Sequence, residues 1–168
     1  MAETFRTERL SLRRMTEDDF DFFVTLTHDS SITKYFGNFR NLKNPEEEFS
    51  ETILGQQNHG NLFLVICNEK NVPMGIFDAF YTANGQWLIE YALLKQYRQH
   101  GYITELLTHI CQNDFEFMSV FKTNKNSISS LLFEVKQDNI NSQKVLSKVA
   151  EKLNLTLDVD DIWYEIIL

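Results

Sequence analysis

The sequence is short of cysteine, proline and glycine: its 168 residues include 2 Cys, 2 Pro and 6 Gly. So little glycine and proline excludes a collagen-like or low-complexity chain. Cys67 and Cys111 lack the paired spacing of a metal site or a disulfide framework, so we interpret both as reduced thiols and predict no bound metal. The composition indicates an ordinary globular protein.

Positive charge and long apolar runs are also scarce. With 16 Lys and Arg against 24 Asp and Glu, the net charge of −8 opposes nucleic-acid binding and favours a cationic small molecule or peptide. The N-terminal residues lead into no apolar segment of signal-peptide or membrane-span length, so we expect a cytoplasmic protein without a membrane partner. The length suits one hydrophobic core, which predicts a single domain over residues 1–168.

Hydrophobic periodicity in the first half predicts a strand over residues 8–14, followed by helices over about 16–29, 31–36 and 45–60. The continuous apolar run 62–67 then predicts a central strand that is covered on both faces.

The next segments predict an antiparallel meander. A second strand is expected over 74–81, and Asn84-Gly85 predicts a hairpin that returns the chain over 87–94.

Helix and strand alternate in the second half. The pattern predicts a long helix from the Gly101 loop to about Val120, then a strand over 127–135 and a further helix. Two short strands are expected over 153–159 and 162–168. This order predicts an α/β or α+β domain built on a mixed sheet.

The stretch from Glu90 to Leu107 is predicted to pass from a strand through a polar loop at Gly101 into a helix. The first N–H groups of a helix have no partner within the helix, and they lie at the positive end of its dipole. Such a helix start attracts phosphate groups. We therefore expect an anion site in this loop.

Three clusters of residues carry a resemblance to a known family: 7–13 (TERLSLR), 91–105 and 139–146 (NINSQKVL). They resemble the GNAT superfamily of N-acetyltransferases, and within it the RimJ/RimL type that acetylates protein N-termini. The resemblance covers nearly the whole chain. It implies a mixed, mostly antiparallel central sheet of six to seven strands, flanked by about four to five helices.

The resemblance also implies acetyl-CoA as cosubstrate. Its pyrophosphate would lie in the loop, and its pantetheine arm would pair with the strand before the loop. Asn139 would contact the pantetheine, with the Ser142 hydroxyl near the thioester sulfur; helix-capping roles are the alternative interpretation of both residues. The implied contacts before and within the loop are Ala92, Leu93, Leu94, Arg98, Gln99, His100, Gly101, Tyr102, Ile103 and Thr104.

Glu90 is the first candidate for a general base. It is an acid within an otherwise apolar strand, where partial burial would raise its pKa toward a useful value. The alternative is that strand alternation directs it to solvent. Asp78 is the second candidate base, Ser142 is the candidate acid, and the resemblance makes the Leu93 N–H an oxyanion donor. Candidate aromatic contacts for an acceptor are Phe36, Phe39, Tyr81 and Trp87.

These residues favour an enzyme that transfers an acetyl group directly to a primary amine. The acceptor would be a protein N-terminus, a polyamine or an amine-bearing drug. The alternative is a GNAT-like domain that binds coenzyme A or a protein partner without catalysis. Its grounds are Gln99 where glycine is frequent, Ile103 where Gly or Ala is expected, and residues 149–151 where the family has Gly-Phe. Family analogy suggests a homodimer through residues 38–43 or the terminal hairpin.

Overall fold

The computed structural model describes residues 3–36, 39, 44–58, 61–121 and 128–168, with only the backbone for 56–58. These residues form an eight-stranded sheet in the order β1-β2-β3-β4-β5-β6-β8-β7. All neighbouring strands are antiparallel except β5 and β6, which are parallel. The strands are β1 Thr4–Arg6, β2 Leu10–Arg14, β3 Leu62–Asn68, β4 Pro73–Tyr81, β5 Trp87–Leu93, β6 Ser130–Glu134, β7 Thr156–Asp160 and β8 Trp163–Ile167.

The described residues also form six α-helices, which pack on both faces of the sheet. The helices are α1 Phe20–His28, α2 Ser30–Thr33, α3 Pro45–Asn58, α4 Tyr102–Gln112, α5 Asp114–Val120 and α6 Ile140–Leu153. Val65 of β3 is buried in a cluster with residues of α1, α2 and α3, whereas Leu64 is buried in a cluster with residues of α4, α5 and α6. Because side chains alternate along a strand, an apolar run covered on both faces produces this arrangement.

The structure confirms the predicted mixed, mostly antiparallel sheet. The described residues contain eight strands and six α-helices, where six to seven strands and four to five helices were predicted. The meander of β3, β4 and β5 is present, and Gly85 of the hairpin has the positive φ of 85° that its turn requires.

Several predicted boundaries were wrong. The first helix begins at Phe20 after a short 3-10 turn over 17–19, and β1 was not predicted. The expected long helix breaks at Asn113, whose side chain donates to the His109 carbonyl at 2.9 Å and offers the backbone an alternative to the helix. The strand expected to begin at Leu153 begins at Thr156 instead. Helix α6 extends to Leu153, and Asn154 ends it in the left-handed conformation.

Helix α3 starts as the sequence predicts, since the Asn44 side chain accepts a hydrogen bond from the backbone N–H of Glu46 at 3.2 Å. Residue 60, where this helix was expected to stop, lies outside the described residues, as does the connection 38–43 apart from Phe39. Within the described ranges, no helix has the length and apolar character that a bilayer crossing needs.

Strands β5 and β6 pair over only two residue pairs, Trp87 with Leu131 and Leu88 with Leu132. Strand β5 continues to Leu93, paired with β4 along its whole length. The end of β5 nearest α4 therefore borders a gap between the two parallel strands.

Candidate active site

The backbone of β5 is exposed to this gap at alternate residues. The Leu94 N–H donates to the Met74 carbonyl at 2.9 Å, so the backbone N–H and C=O groups of Leu94 point toward β4. Because these groups alternate in direction along an antiparallel strand, those of Ala92 also point toward β4. Leu93 faces the gap, where its carbonyl accepts a hydrogen bond from Arg98 Nε at 2.8 Å. Of the three backbone positions expected to contact pantetheine, Leu93 is therefore the one directed to the gap.

Gly75 allows β4 to lie close to this part of β5. It is the register partner of Leu93, and a Cβ on Gly75 would lie 2.1 Å from the carbonyl oxygen of Ala92. No side chain fits at that distance, so glycine is required where β5 borders the gap.

The loop before α4 contains two residues with left-handed backbone, Gln99 with φ 65° and Gly101 with φ 77°. Gly101 is the N-cap of α4, an 11-residue helix whose first N–H groups point back toward the loop. Glycine adopts positive φ without steric cost, whereas Gln99 holds this conformation while carrying a side chain.

The side chains of the loop differ in their burial. Ile103 is 7% exposed and packs in the core with residues of α4 and α6, so it does not crowd the loop. The ring of His100 stacks on Tyr102 with centroids 5.6 Å apart, and its Nδ1 lies 2.7 Å from the Arg98 carbonyl. The side chain of Thr104 is half-buried in the first turn of α4.

Arg98 and Arg9 hold the loop in place with their guanidinium groups. Arg98 joins the Leu93 carbonyl to Asp29, whose carboxylate lies 3.6 Å away. Arg9 donates to the His100 carbonyl at 3.1 Å and lies 4.6 Å from the centroid of the Tyr102 ring. Arg9 was not predicted as a site residue, although it belongs to the TERLSLR cluster.

Glu105 ties the segment before β2 to the start of α4. Its carboxylate accepts hydrogen bonds from Thr7 Oγ1 at 2.5 Å, from the Arg9 N–H at 2.9 Å and from Arg9 Nε at 2.6 Å. Partial burial raises the pKa of Glu105, but these donors outweigh burial and hold the pKa below its ordinary value. The negative charge is thus maintained in the first turn of α4, where it also complements the helix dipole.

A hydrogen-bonded pair of hydroxyl groups lies at the start of α6. Tyr91 Oη and Ser142 Oγ are 2.6 Å apart, and the Asn139 side chain caps the helix by accepting from the Ser142 N–H at 3.3 Å. Burial raises the pKa of Tyr91 to about 12, although the Ser142 hydrogen bond opposes the rise. Tyr91 therefore stays protonated at neutral pH, and it is a functional candidate that sequence reasoning missed.

Asp78 and Glu90 are direct cross-strand partners on the opposite face of β5 from Tyr91. Burial raises the pKa of Asp78 well above its ordinary value, and the charge of Glu90 adds to the effect. Burial also raises the pKa of Glu90, with a further contribution from Glu134. One carboxylate oxygen each of Asp78 and Glu90 is buried with no hydrogen-bond partner among the described residues.

Most of the predicted aromatic acceptor contacts are buried in the core. Trp87 and Phe36 are 1% and 4% exposed, and Tyr81 packs edge-on against Trp87. Phe39 lines a cavity beside Asp78. Of the four aromatic residues, Phe39 is the one that lines this cavity.

Cysteine and metal chemistry have no support in the described residues. Cys67 and Cys111 are free thiols, and burial raises the pKa of Cys111 to about 12, so this thiol stays protonated. In the described ranges, no group of three or more His, Cys, Asp or Glu side chains is arranged to hold a metal ion.

The match to a family model assigns the chain to a class of enzymes. The acetyltransferase (GNAT) domain model matches residues 9–150, which is most of the sequence. The protein therefore belongs to the GNAT acetyltransferase family. No curated protein matches the sequence significantly.

Solved structures show the same fold and include the RimL type. The apo structure of the RimL ribosomal L7/L12 α-N-protein acetyltransferase has a TM-score of 0.70 and 18% identity, covering 100% of this chain and 96% of its own. An acetyltransferase from Agrobacterium tumefaciens has a TM-score of 0.69 and 20% identity, with coverages of 97% and 92%. Spermidine N-acetyltransferase from Vibrio cholerae, in complex with CoA and spermine, has a TM-score of 0.69 and 10% identity, with coverages of 94% and 92%.

Proposed function

We propose that this protein transfers the acetyl group of acetyl-CoA directly to a primary amine. The observation that carries the proposal is the arrangement around the end of β5. A carboxyl with a raised pKa, Glu90, lies on one face, and the Tyr91–Ser142 hydroxyl pair lies on the other. Between them, the gap beside Leu93 leads to the N-terminus of α4. RimL acts on a protein N-terminus and the Vibrio cholerae relative on spermidine, and both kinds of acceptor are primary amines.

The loop and the gap would bind acetyl-CoA. Backbone N–H groups from Gln99 to Thr104 would bind the pyrophosphate at the start of α4, where Gly101 permits close approach. The pantetheine arm would lie along the gap and pair with the backbone of Leu93. Support comes from the burial of Ile103, which leaves the loop surface to a ligand, and from the direction of the Leu93 backbone.

Glu90 would remove the proton that blocks the acceptor amine. An α-amine has a pKa of about 8 and an alkyl amine of about 10.4, so both are largely protonated at neutral pH. Because its pKa is raised, the Glu90 carboxylate accepts a proton more readily than an exposed glutamate does. Glu90 lies on the same face of the sheet as the cavity that Asp78 lines. The proton would pass from the amine to Glu90 and then to water.

The amine nitrogen would then attack the thioester carbonyl carbon with its lone pair. The C–N bond forms as the carbonyl oxygen takes negative charge, which the N–H of Leu93 would stabilise. When the tetrahedral intermediate collapses, the C–S bond breaks and the electron pair leaves on sulfur. The hydroxyl of Tyr91, or of Ser142 through it, would donate its proton to this thiolate. The attacking nitrogen still carries one proton more than the amide does, and it would lose that proton through water to the phenolate, which restores the Tyr91 hydroxyl. The products are an amide and free coenzyme A.

Two observations favour catalysis over the alternative of a domain that only binds. Ile103 is withdrawn into the core, and Gln99 adopts the backbone conformation that glycine would adopt in this loop. Two of the three grounds for the alternative are thereby weakened. The single domain over residues 1–168, the homodimer and the cytoplasmic location stay predictions.

Release of free thiol from acetyl-CoA tests the proposal. The wild-type protein is incubated with acetyl-CoA and a panel of α-amino peptides, alkyl amines and polyamines, and calorimetry measures cofactor binding separately. We expect micromolar binding of acetyl-CoA and amine-dependent thiol release. Binding without release for every amine would support the non-catalytic alternative. Absence of binding would reject acetyl transfer and leave only the alternative in which the domain binds a protein partner.

A further inference from the structure

A cavity of about 250 Å³ lies between α3 and the face of the sheet that carries Asp78 and Glu90. Among the described residues, the charged side chains that line it are all acidic: Glu48 and Glu51 from α3, and Asp78 from β4. The other described lining residues are uncharged and include the aromatic rings of Phe39 and Phe63. The cavity thus combines negative charge with apolar surface.

Asp78 is the strongest indication that this cavity takes a ligand. The residue is 4% exposed, and its Oδ1 is buried with no hydrogen-bond partner among the described residues. A buried carboxylate oxygen without a donor is costly, and the cost is removed when a cationic donor binds. The pKa of Glu48, on the α3 side of the cavity, is also raised, first by burial and then by the charges of Glu51 and Glu47.

The cavity lies beside the site proposed for acetyl transfer, with Asp78 on its wall. Asp78 and Glu90 are register partners on adjacent strands, and such partners have Cβ atoms about 5 Å apart. An amine that reacts beside Glu90 is therefore within one short aliphatic chain of Asp78. Phe39, Phe63 and Ile76 provide apolar surface for the methylene groups of such a chain.

We infer that the acceptor is a small aliphatic diamine or polyamine. Its second ammonium group binds Asp78 in the cavity that Glu48 and Glu51 also line, while its reacting nitrogen lies at Glu90. This inference rests on the proposed acetyl transfer and adds the class of acceptor. The second ammonium donates its N–H groups to the Asp78 carboxylate. The net charge of −8 favours the approach of such a polycation.

Calorimetry on the protein saturated with coenzyme A tests the inference without any acetyl transfer. The probes are 1,4-diaminobutane and its monoamine counterpart n-butylamine. We expect the diamine to bind at least tenfold more tightly than the monoamine. Asp78→Asn keeps the shape and should abolish this preference, whereas Glu51→Gln at the exposed rim should reduce it. Glu151→Gln removes an exposed charge from α6, away from the cavity, and should leave the preference unchanged.

Equal affinity for the two probes in the wild-type protein, or an unchanged preference in Asp78→Asn, would overturn the inference. If Asp78→Asn fails to fold by circular dichroism, the double variant Glu48→Gln, Glu51→Gln carries the same test. Acetyl transfer to both probes with equal kcat/KM would reject binding of a second ammonium group in the cavity, while the proposed acetyl transfer would stand. Selective diamine binding without transfer to any amine would instead reject the proposed reaction alone.

Discussion

The hydroxyl oxygens of Tyr91 and Ser142 lie 2.6 Å apart and connect β5 to the first turn of α6. The Asn139 cap fixes the backbone of Ser142, so the serine in turn fixes the position of the phenol. Tyr91 is therefore held beside the gap where the thioester would lie. Ser142, which is predicted to act as the acid, is hydrogen-bonded to the phenol of Tyr91.

Tyr91→Phe tests this pair. Loss of the phenol removes the donor to the departing thiolate, and we expect kcat to fall by about 10²-fold with little change in the KM for acetyl-CoA. Steady-state thiol release measures both constants. Tyr164→Phe on β8 is the matched control and should retain the wild-type rate. A wild-type kcat in Tyr91→Phe would exclude the tyrosine from the reaction.

Glu90→Gln tests the general base through the pH dependence of kcat/KM. Without the carboxylate, the variant reacts only with amine that is already deprotonated in solution. We expect a loss of rate that is largest below the pKa of the amine and shrinks as the pH rises through it. If the wild-type and variant profiles are parallel from pH 6 to 10, Glu90 does not act as the base.

Asp78→Asn should stabilise the free protein, and increasingly so at higher pH. The folded pKa of Asp78 is raised, so folding is penalised once the pH exceeds the unfolded pKa of about 3.9. Between the unfolded and the folded pKa, the penalty grows by about 1.4 kcal/mol for each rise of one in pH, and above the folded pKa it is constant. Urea unfolding between pH 4 and 8 should therefore show a widening advantage of the variant. A difference in unfolding free energy that stays constant with pH would contradict a raised pKa for Asp78.

Gly75→Ala should disrupt the end of β5. The added methyl group would lie 2.1 Å from the Ala92 carbonyl, so the strands must separate, at a cost of about 1–3 kcal/mol in unfolding free energy. Affinity for coenzyme A should fall with it, because the shift moves Leu93. Gly55→Ala, within α3, is the control. Its methyl group would lie 3.4 Å from the Phe63 ring, an ordinary contact distance. Alanine in place of glycine also stabilises a helix interior by about 0.5–1 kcal/mol. Equal stability of the two variants would refute the steric argument.

Local signals in the sequence were enough to predict the central meander and the start of α4. The run 62–67 and the Asn84-Gly85 turn have short-range causes, and the structure places β3 and the hairpin there. Strand β1 is different, because its three residues become a strand only by pairing with β2. Propensity over so few residues predicts nothing.

The candidate site also contains one feature that local sequence predicted and contacts that it did not. The burial of Glu90 followed from an acid in an apolar strand, and its raised pKa agrees with that reasoning. The contact of Tyr91 with Ser142 spans 51 residues and that of Arg9 with Glu105 spans 96, so neither could be deduced from spacing. The first contact depends on how β5 packs with α6, and the second on how the segment before β2 packs with α4. Local sequence does not specify either arrangement.

Glu90 and Tyr91 are consecutive residues whose side chains leave β5 on opposite faces. In the proposed reaction the amine comes from the side of α3, and the coenzyme occupies the side of α4 and α6. Neither substrate then blocks the route of the other, so either can bind first and both must be present together. Initial rates should give intersecting rather than parallel reciprocal plots. The same separation allows the choice of acceptor to change through substitutions on α3 while the coenzyme side remains intact.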